Sequence, residues 1–160
     1  HSFYLRAMYM ENRLIEAGGV EIDGTPIDLS KIKVPCYFIS TIEDHIAPWK
    51  STYMGARRFG GPTRFVLGGS GHIAGIVNPP AANKYGYWLN PAAKLADTAD
   101  AWLEGAQQHP GSWWTDWQAW VTAHDGEQTE ARDPVKGKLE VLEDAPGSFV
   151  KIRIDAKAAA

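Results

Sequence analysis

The sequence predicts an α/β fold in which parallel strands carry flanking helices. Three observations point there. Val34-Pro35-Cys36-Tyr37-Phe38-Ile39 is a continuous apolar run rich in β-formers, the pattern of a strand buried on both faces. Thr63-Arg64-Phe65-Val66-Leu67 is a second such run. Between them, residues 49–59 have helical character and stop at Gly60-Gly61-Pro62, so strand, loop, helix, strand reads as a βαβ unit. With 160 residues, 44% of them hydrophobic, the chain suits one domain with a packed core.

The remaining elements follow in order. Leu5, Met8, Tyr9 and Ile15 lie near helical spacing, and Gly18-Gly19 stops that run. Val20-Glu21-Ile22 and Ile27-Asp28-Leu29 flank Asp23-Gly24, a hairpin-turn signal. After the second parallel strand, Asn78-Pro79-Pro80 forces extended backbone. Asn90 with Pro91 looks like a helix start, and Leu95, Ala99, Trp102, Leu103 and Ala106 mark one face of the helix expected there. Pro110-Gly111 ends it, and Ser112 can cap another. That second helix carries Trp113, Trp117, Trp120 and His124 as a stripe packed on the sheet, and Trp114 falls off the stripe as its expected exposed member. Residues 125–133 are polar. Leu139-Glu140-Val141-Leu142 and residues 149–154 flank Ala145-Pro146-Gly147 and predict a terminal β-hairpin.

Composition excludes several function classes. A net charge of −3 offers no basic stripe for nucleic acid. No apolar run is long enough for a transmembrane segment, and the start resembles no signal peptide. The single Cys allows no internal disulfide and fits a reducing, cytoplasmic compartment. The chain begins with His1, as a piece of a longer protein would. No Gly-x-Gly-x-x-Gly supports a nucleotide-binding fold, and no His-Glu-x-x-His or paired Cys supports a metal site.

Chemistry concentrates in two loops. Residues 41–49 and 68–75 each follow a predicted parallel strand, and ligands of open α/β sheets bind at the carboxyl ends of strands. The first loop offers Asp44 and His45, the second His72 among glycines. Acid then His is the chain order of the α/β-hydrolase acid and base. A His can shuttle protons near neutral pH, and a carboxylate fixes its tautomer and stabilises the imidazolium. Such a pair calls for hydrogen-bond distance, about 2.6–3.2 Å. Spacing alone leaves a second reading open, with Asp44 a turn former and His72 structural. His45 reads as a supporting or solvent-facing neighbour. Ser70 follows the acid rather than preceding it, so it reads as a loop former and not a nucleophile. Cys36, inside an apolar strand, reads as a small hydrophobe.

At these residues the chain resembles class I polyhydroxyalkanoate synthases. The resemblance rests on Ser2-Phe3-Tyr4-Leu5-Arg6, Glu43-Asp44-His45-Ile46-Ala47-Pro48-Trp49, Arg64-Phe65-Val66-Leu67-Gly68, Ser70-Gly71-His72-Ile73-Ala74-Gly75, Asn78-Pro79-Pro80, Gly111-Ser112-Trp113-Trp114 and Ala145-Pro146-Gly147-Ser148-Phe149-Val150-Lys151. It implies the C-terminal part of an α/β-hydrolase fold that polymerises (R)-3-hydroxyacyl-CoA into polyester and releases CoA, without a cofactor. It implies a Cys-Asp-His set in which Asp44 and His72 are acid and base and the Cys lies upstream, outside this chain. Residues 1–30 then correspond to the end of a cap and its return to the sheet, 31–125 to the catalytic loops and helices, and 126–160 to a link and terminal hairpin. The resemblance further implies a homodimer at the surface of cytoplasmic polyester granules. Alone, the chain is expected to be inactive for want of a nucleophile, and to expose a sheet edge that favours self-association. Two rival readings are a related esterase or polyester depolymerase, and a non-catalytic Trp-rich module that coats granules. The latter predicts an exposed Trp114 and a distant Asp44 and His72.

Overall fold

The computed structural model describes residues 1–153, which fall in two compact units, one of His1–His124 and a second that begins at Asp125. In the first unit a short helix α1 (Ser2–Tyr4) runs into a wider π-helical turn, Leu5–Met10. It ends at Asn12, whose left-handed backbone (φ 48°) breaks the helix before the glycines do. Ala7 is buried and Met8 half-buried, while Leu5, Tyr9 and Ile15 are exposed, so most of the expected helical stripe is left uncovered. The Asp23-Gly24 signal holds. Both residues have positive φ (49° and 71°), as the turn between two tightly paired strands needs, and β1 (Glu21–Ile22) pairs antiparallel with β2 (Thr25–Pro26).

The predicted βαβ unit forms. Strand β3 (Cys36–Thr41) pairs parallel with β4 (Thr63–Gly68), in register from Cys36 opposite Thr63 to Thr41 opposite Gly68. Between them α2 (Trp49–Ala56) starts at Pro48, whose carbonyl accepts from the Ser51 and Thr52 amides. Trp49, Tyr53 and Ala56, spaced four and three residues apart, turn one face of α2 onto Phe65 and Leu67. The other face of β4 presents Val66 to Tyr87 and Trp113. This alternation buries β4 on both sides of the sheet. Strand β3 was expected to be equally buried, yet its first four residues are half-exposed because it sits at the edge of the sheet.

Two further strands, unforeseen in the sequence, make the sheet mixed rather than parallel. β5 (Tyr87–Leu89) pairs antiparallel with β4, and β6 (Gln107–His109) antiparallel with β5, giving the order β3-β4-β5-β6. The helix expected from Asn90 starts only at Thr98. α3 (Ala99–Glu104) is capped by the Thr98 hydroxyl, which accepts from the Ala101 amide at 3.1 Å. Asn90 instead closes a turn onto the Ala92 amide (2.9 Å) and donates to the Trp102 carbonyl (2.7 Å). The strap from 91 to 98 is held non-helical by Tyr53, which donates to the Ala96 carbonyl (2.8 Å), and by Arg57, which donates to the Asp97 carbonyl (2.6 Å).

The last helix, α4 (Trp114–Thr122), follows Ser112, whose hydroxyl accepts from the Trp114 amide at 3.1 Å. The tryptophans depart from the expected stripe. Trp113 is buried and Trp114 half-buried, while Trp117 is 42% exposed. Trp114 turns inward because its indole finds an acceptor on the sheet side of the helix.

In the second unit the predicted terminal hairpin does not form among the described residues. Residues 125–153 contain two single helical turns, Pro134–Lys136 and Phe149–Lys151. Leu139, Leu142 and Phe149 are 85–89% exposed. A lone two-stranded ribbon lacks a surface on which to bury such side chains and is marginal in water. Ile154, the far end of the expected strand, lies outside the described residues.

Candidate active site

The two loops singled out in the sequence meet at the carboxyl ends of β3 and β4. Their meeting is dictated by the strand register. Beyond the Thr41–Gly68 pair, the Ile42 amide donates to the Gly68 carbonyl (2.9 Å) and the Glu43 amide to the Ser70 carbonyl (3.1 Å), so the loops stay zipped past the sheet. Ser70 achieves this with a left-handed backbone (φ 66°), consistent with a loop former.

Asp44 and His72 emerge side by side. Oδ1 of Asp44 lies 3.6 Å from Nδ1 of His72, within ion-pair reach and just beyond hydrogen-bond length. The same oxygen already accepts from the backbone amides of Ile46 (2.8 Å) and Ala47 (3.0 Å), which fixes the carboxylate's orientation. The Ala47 amide is the main reason the Asp44 carboxyl titrates below the usual range. Desolvation opposes it, and the Ile46 amide and the charges of His72 and His45 add to the lowering. Asp44 is therefore a fixed anion at neutral pH. Its side chain is 11% exposed and that of His72 is 35% exposed, leaving the imidazole open toward solvent while the acid is shielded. His45 is exposed, and its ring stands edge-on to His72 with centroids 5.4 Å apart. Cys36 begins β3, at the opposite end of the strand from Asp44, with its thiol directed to the Val34 carbonyl.

The turn behind His72 is tightly built. The Gly75 amide donates to the Gly71 carbonyl and the Val77 amide to the Ile73 carbonyl, both at 2.8 Å. A side chain at Gly75 would lie against the Gly69 and Gly71 carbonyls and the Thr41 methyl, so only glycine fits. From the other side, the Trp113 indole donates to the Gly75 carbonyl (3.0 Å) and the Trp114 indole to the Ile76 carbonyl (2.9 Å). These two contacts escaped the sequence reading. The available signal was general: buried indoles require an acceptor. Helix α4 is itself fastened to the sheet. Asp116 accepts from Tyr37 on β3 (3.0 Å) and from both Nε (2.9 Å) and Nη2 of Arg64 on β4. Burial and the Asp116 carboxylate together push the Tyr37 phenol well above its ordinary range.

The site contains an oriented carboxylate beside a partly open imidazole, with glycine backbone around the imidazole. That arrangement can hold and move a proton. Among the described residues no three His, Cys, Asp or Glu side chains gather as a metal site.

Sequence comparison places this geometry in context. The chain is 48% identical over 153 residues to the poly(3-hydroxyalkanoate) polymerase subunit PhaC of Rhizobium etli and to that of Rhizobium meliloti. It is 42% identical over 154 residues to the PhaC subunit of Cupriavidus necator. Each match takes in 96% of this chain. The chain is homologous to part of a poly(3-hydroxyalkanoate) polymerase. It spans about a quarter of the length of these polymerase relatives, 24–26%. No family model matches the chain.

Proposed function

We propose that this chain is the C-terminal part of an α/β-hydrolase-type catalytic domain of a polyester synthase, and that it supplies the acid and base of acyl transfer. The observation that carries the proposal is the approach of Asp44 and His72 at the ends of two adjacent parallel strands, acid before base in the chain, within a sequence whose relatives are named polymerases. Their 3.6 Å separation suits a resting site, since catalytic hydrogen bonds are often long before substrate binds.

The chemistry runs in two steps. His72 takes the proton of a Cys thiol supplied from outside this chain, and the thiolate attacks the carbonyl carbon of an (R)-3-hydroxyacyl-CoA thioester. The carbon–sulfur bond to CoA breaks, CoA leaves with the proton returned by His72, and the acyl group remains on the Cys. A 3-hydroxyl group then attacks the acyl-Cys, giving up its proton to His72 while Asp44 stabilises the imidazolium; the ester bond forms as the acyl carbon–sulfur bond breaks, and the departing Cys thiolate takes the proton back from His72. No cofactor is required, since the thioester supplies the driving force. His45, beside the His72 ring, supports its orientation. A homodimer at the granule surface completes the proposed setting.

Two observations favour this reading over a granule-coating Trp module. Asp44 and His72 are neighbours rather than distant, and Trp114 is turned inward. A related esterase would use the same dyad; the relatives' names favour synthesis.

The test is His72→Gln in the complete polymerase with CoA release as readout. Loss of acylation is expected. Near-wild-type CoA release would remove His72 from the mechanism.

A further inference from the structure

We infer that Trp113 and Trp114 are positioning residues for His72, acting as a two-pronged indole clamp on the turn that carries it. The inference rests on the reading of His72 as the base, and adds the device that holds it in place.

The loop that carries His72 has little internal bonding of its own. Residues 71–77 form isolated helical turns, with two backbone bonds and glycine at 71 and 75. Glycine lets this backbone pack closely on Gly69 and Thr41, but it brings no side chain of its own to hold the turn from the other side. Among the described residues, the His72 ring meets the Asp44 carboxylate at 3.6 Å and the edge-on ring of the exposed His45. Neither contact is a close hydrogen bond, so the ring's orientation depends also on the backbone beneath it. Two consecutive carbonyls of that backbone, Gly75 and Ile76, are each capped by an indole N–H from two consecutive tryptophans 38 residues away. Consecutive residues at the start of a helix point in different directions, so two such bonds fix rotation as well as position. The prongs are rigid. The Trp113 and Trp114 rings stand edge-to-face with centroids 6.4 Å apart, and Trp113 also packs on Tyr37. Asp116, one turn on, locks their helix to β3 and β4 through Tyr37 and Arg64. Thus β3 and β4, which launch Asp44 and His72, also hold the clamp that fixes the far side of the His72 turn. Acid and base are referenced to one frame.

Replacing an indole by phenyl keeps the aromatic packing and removes the N–H. Trp113→Phe, Trp114→Phe and the double variant are compared with wild type by the rate at which each histidine is carbethoxylated by diethylpyrocarbonate, read by peptide mass. Histidines 109 and 124 serve as internal controls, since His109 stacks on Tyr87 and His124 contacts the Trp120 carbonyl on α4 itself. The clamp predicts severalfold faster modification of His72, with His109 and His124 at wild-type rates. Unchanged His72 reactivity in folded variants overturns it, and so does a parallel rise at all three histidines, which would mean that the tryptophans merely hold the fold. Trp114→Phe, at the less buried position, guards against loss of folding in the double variant. In the complete polymerase the same variants should lower kcat severalfold with KM little changed. That readout separates the two claims: if His72→Gln retains acylation the catalytic reading fails, whereas the histidine-labelling pattern still judges the clamp.

Discussion

Gly75→Ala is the sharpest test of how the His72 turn is built. The backbone at Gly75 does not have a left-handed φ, so an added methyl would be judged by space alone. Space is what the position lacks. The new carbon would sit 2.6 Å from the Thr41 methyl and 2.8 Å from the Gly71 carbonyl oxygen, and closer still to that of Gly69, where ordinary contacts begin at 3.4 Å. Two of these neighbours are backbone in a zipped loop and cannot swing aside. Overpacking of this kind costs about 1–3 kcal/mol. At about 4 °C per kcal/mol for a domain of this size, the melting temperature should fall by about 4–12 °C. Gly55→Ala supplies a matched control. It lies inside α2 with nothing within 4 Å of the added methyl, and replacing a helical glycine should raise stability by about 0.5–1 kcal/mol. Thermal unfolding by circular dichroism reads both. A Gly75→Ala chain melting at or above wild type would refute the close packing behind His72.

Three further outcomes follow from the site and its supports. Asp44 has a lowered carboxyl pKa, so its contribution to stability is complete above the ordinary carboxylate range and is lost as pH falls through the folded-state value. The stability gap between wild type and Asp44→Asn should therefore be widest near neutrality and close in acid; urea titrations giving a pH-independent gap would contradict this. Asp116→Ala should cost about 1–3 kcal/mol, because it leaves the half-buried Tyr37 hydroxyl and the Arg64 guanidinium without their acceptor; an unchanged denaturation midpoint would show that α4 is held by packing alone. Trp117 is the most exposed of the tryptophans near the His72 turn, while Trp102, Trp49 and Trp113 are buried. Acrylamide should thus quench Trp117→Phe clearly less than wild type, and equal quenching would mean that another indole is the accessible one.

What the sequence revealed depended on how local the determinants were. β3 and β4 were legible because an apolar run of β-formers needs no partner to be recognised, and the hairpin because Asp23-Gly24 names its own turn. β5 and β6 were not, because three-residue strands such as Gln107-Gln108-His109 carry no periodicity and are defined by pairing. The segment from Asn90 to Thr98 has helix-permissive composition, yet Tyr53 and Arg57, some 40 residues away, capture its carbonyls and hold it non-helical. Tertiary contacts outweighed propensity there. The terminal hairpin failed for the converse reason: a plausible turn and two β-rich runs do not make a ribbon without a surface to pack on.

The same distinction explains why the approach of Asp44 and His72 was legible and the indole contacts behind it were not. In a parallel pair, the residue following one strand lands beside the residue following the other, so register converts two sequence-local motifs into one site. Thr41 opposite Gly68 places Asp44 three residues beyond one strand end and His72 four beyond the other. The continued pairing of Ile42 with Gly68 and Glu43 with Ser70 carries that alignment out to the side chains. The approach of Asp44 to His72 thus depends on one βαβ unit and the two loops that leave it. The clamp depends on a helix that reaches back across the sheet, and nothing in Trp113-Trp114 names Gly75 and Ile76 as its targets. If register alone sufficed to orient the imidazole, the indole N–H groups would be spare. Their placement on the consecutive carbonyls of Gly75 and Ile76 is what argues that register brings the pair into reach and the indoles set the angle.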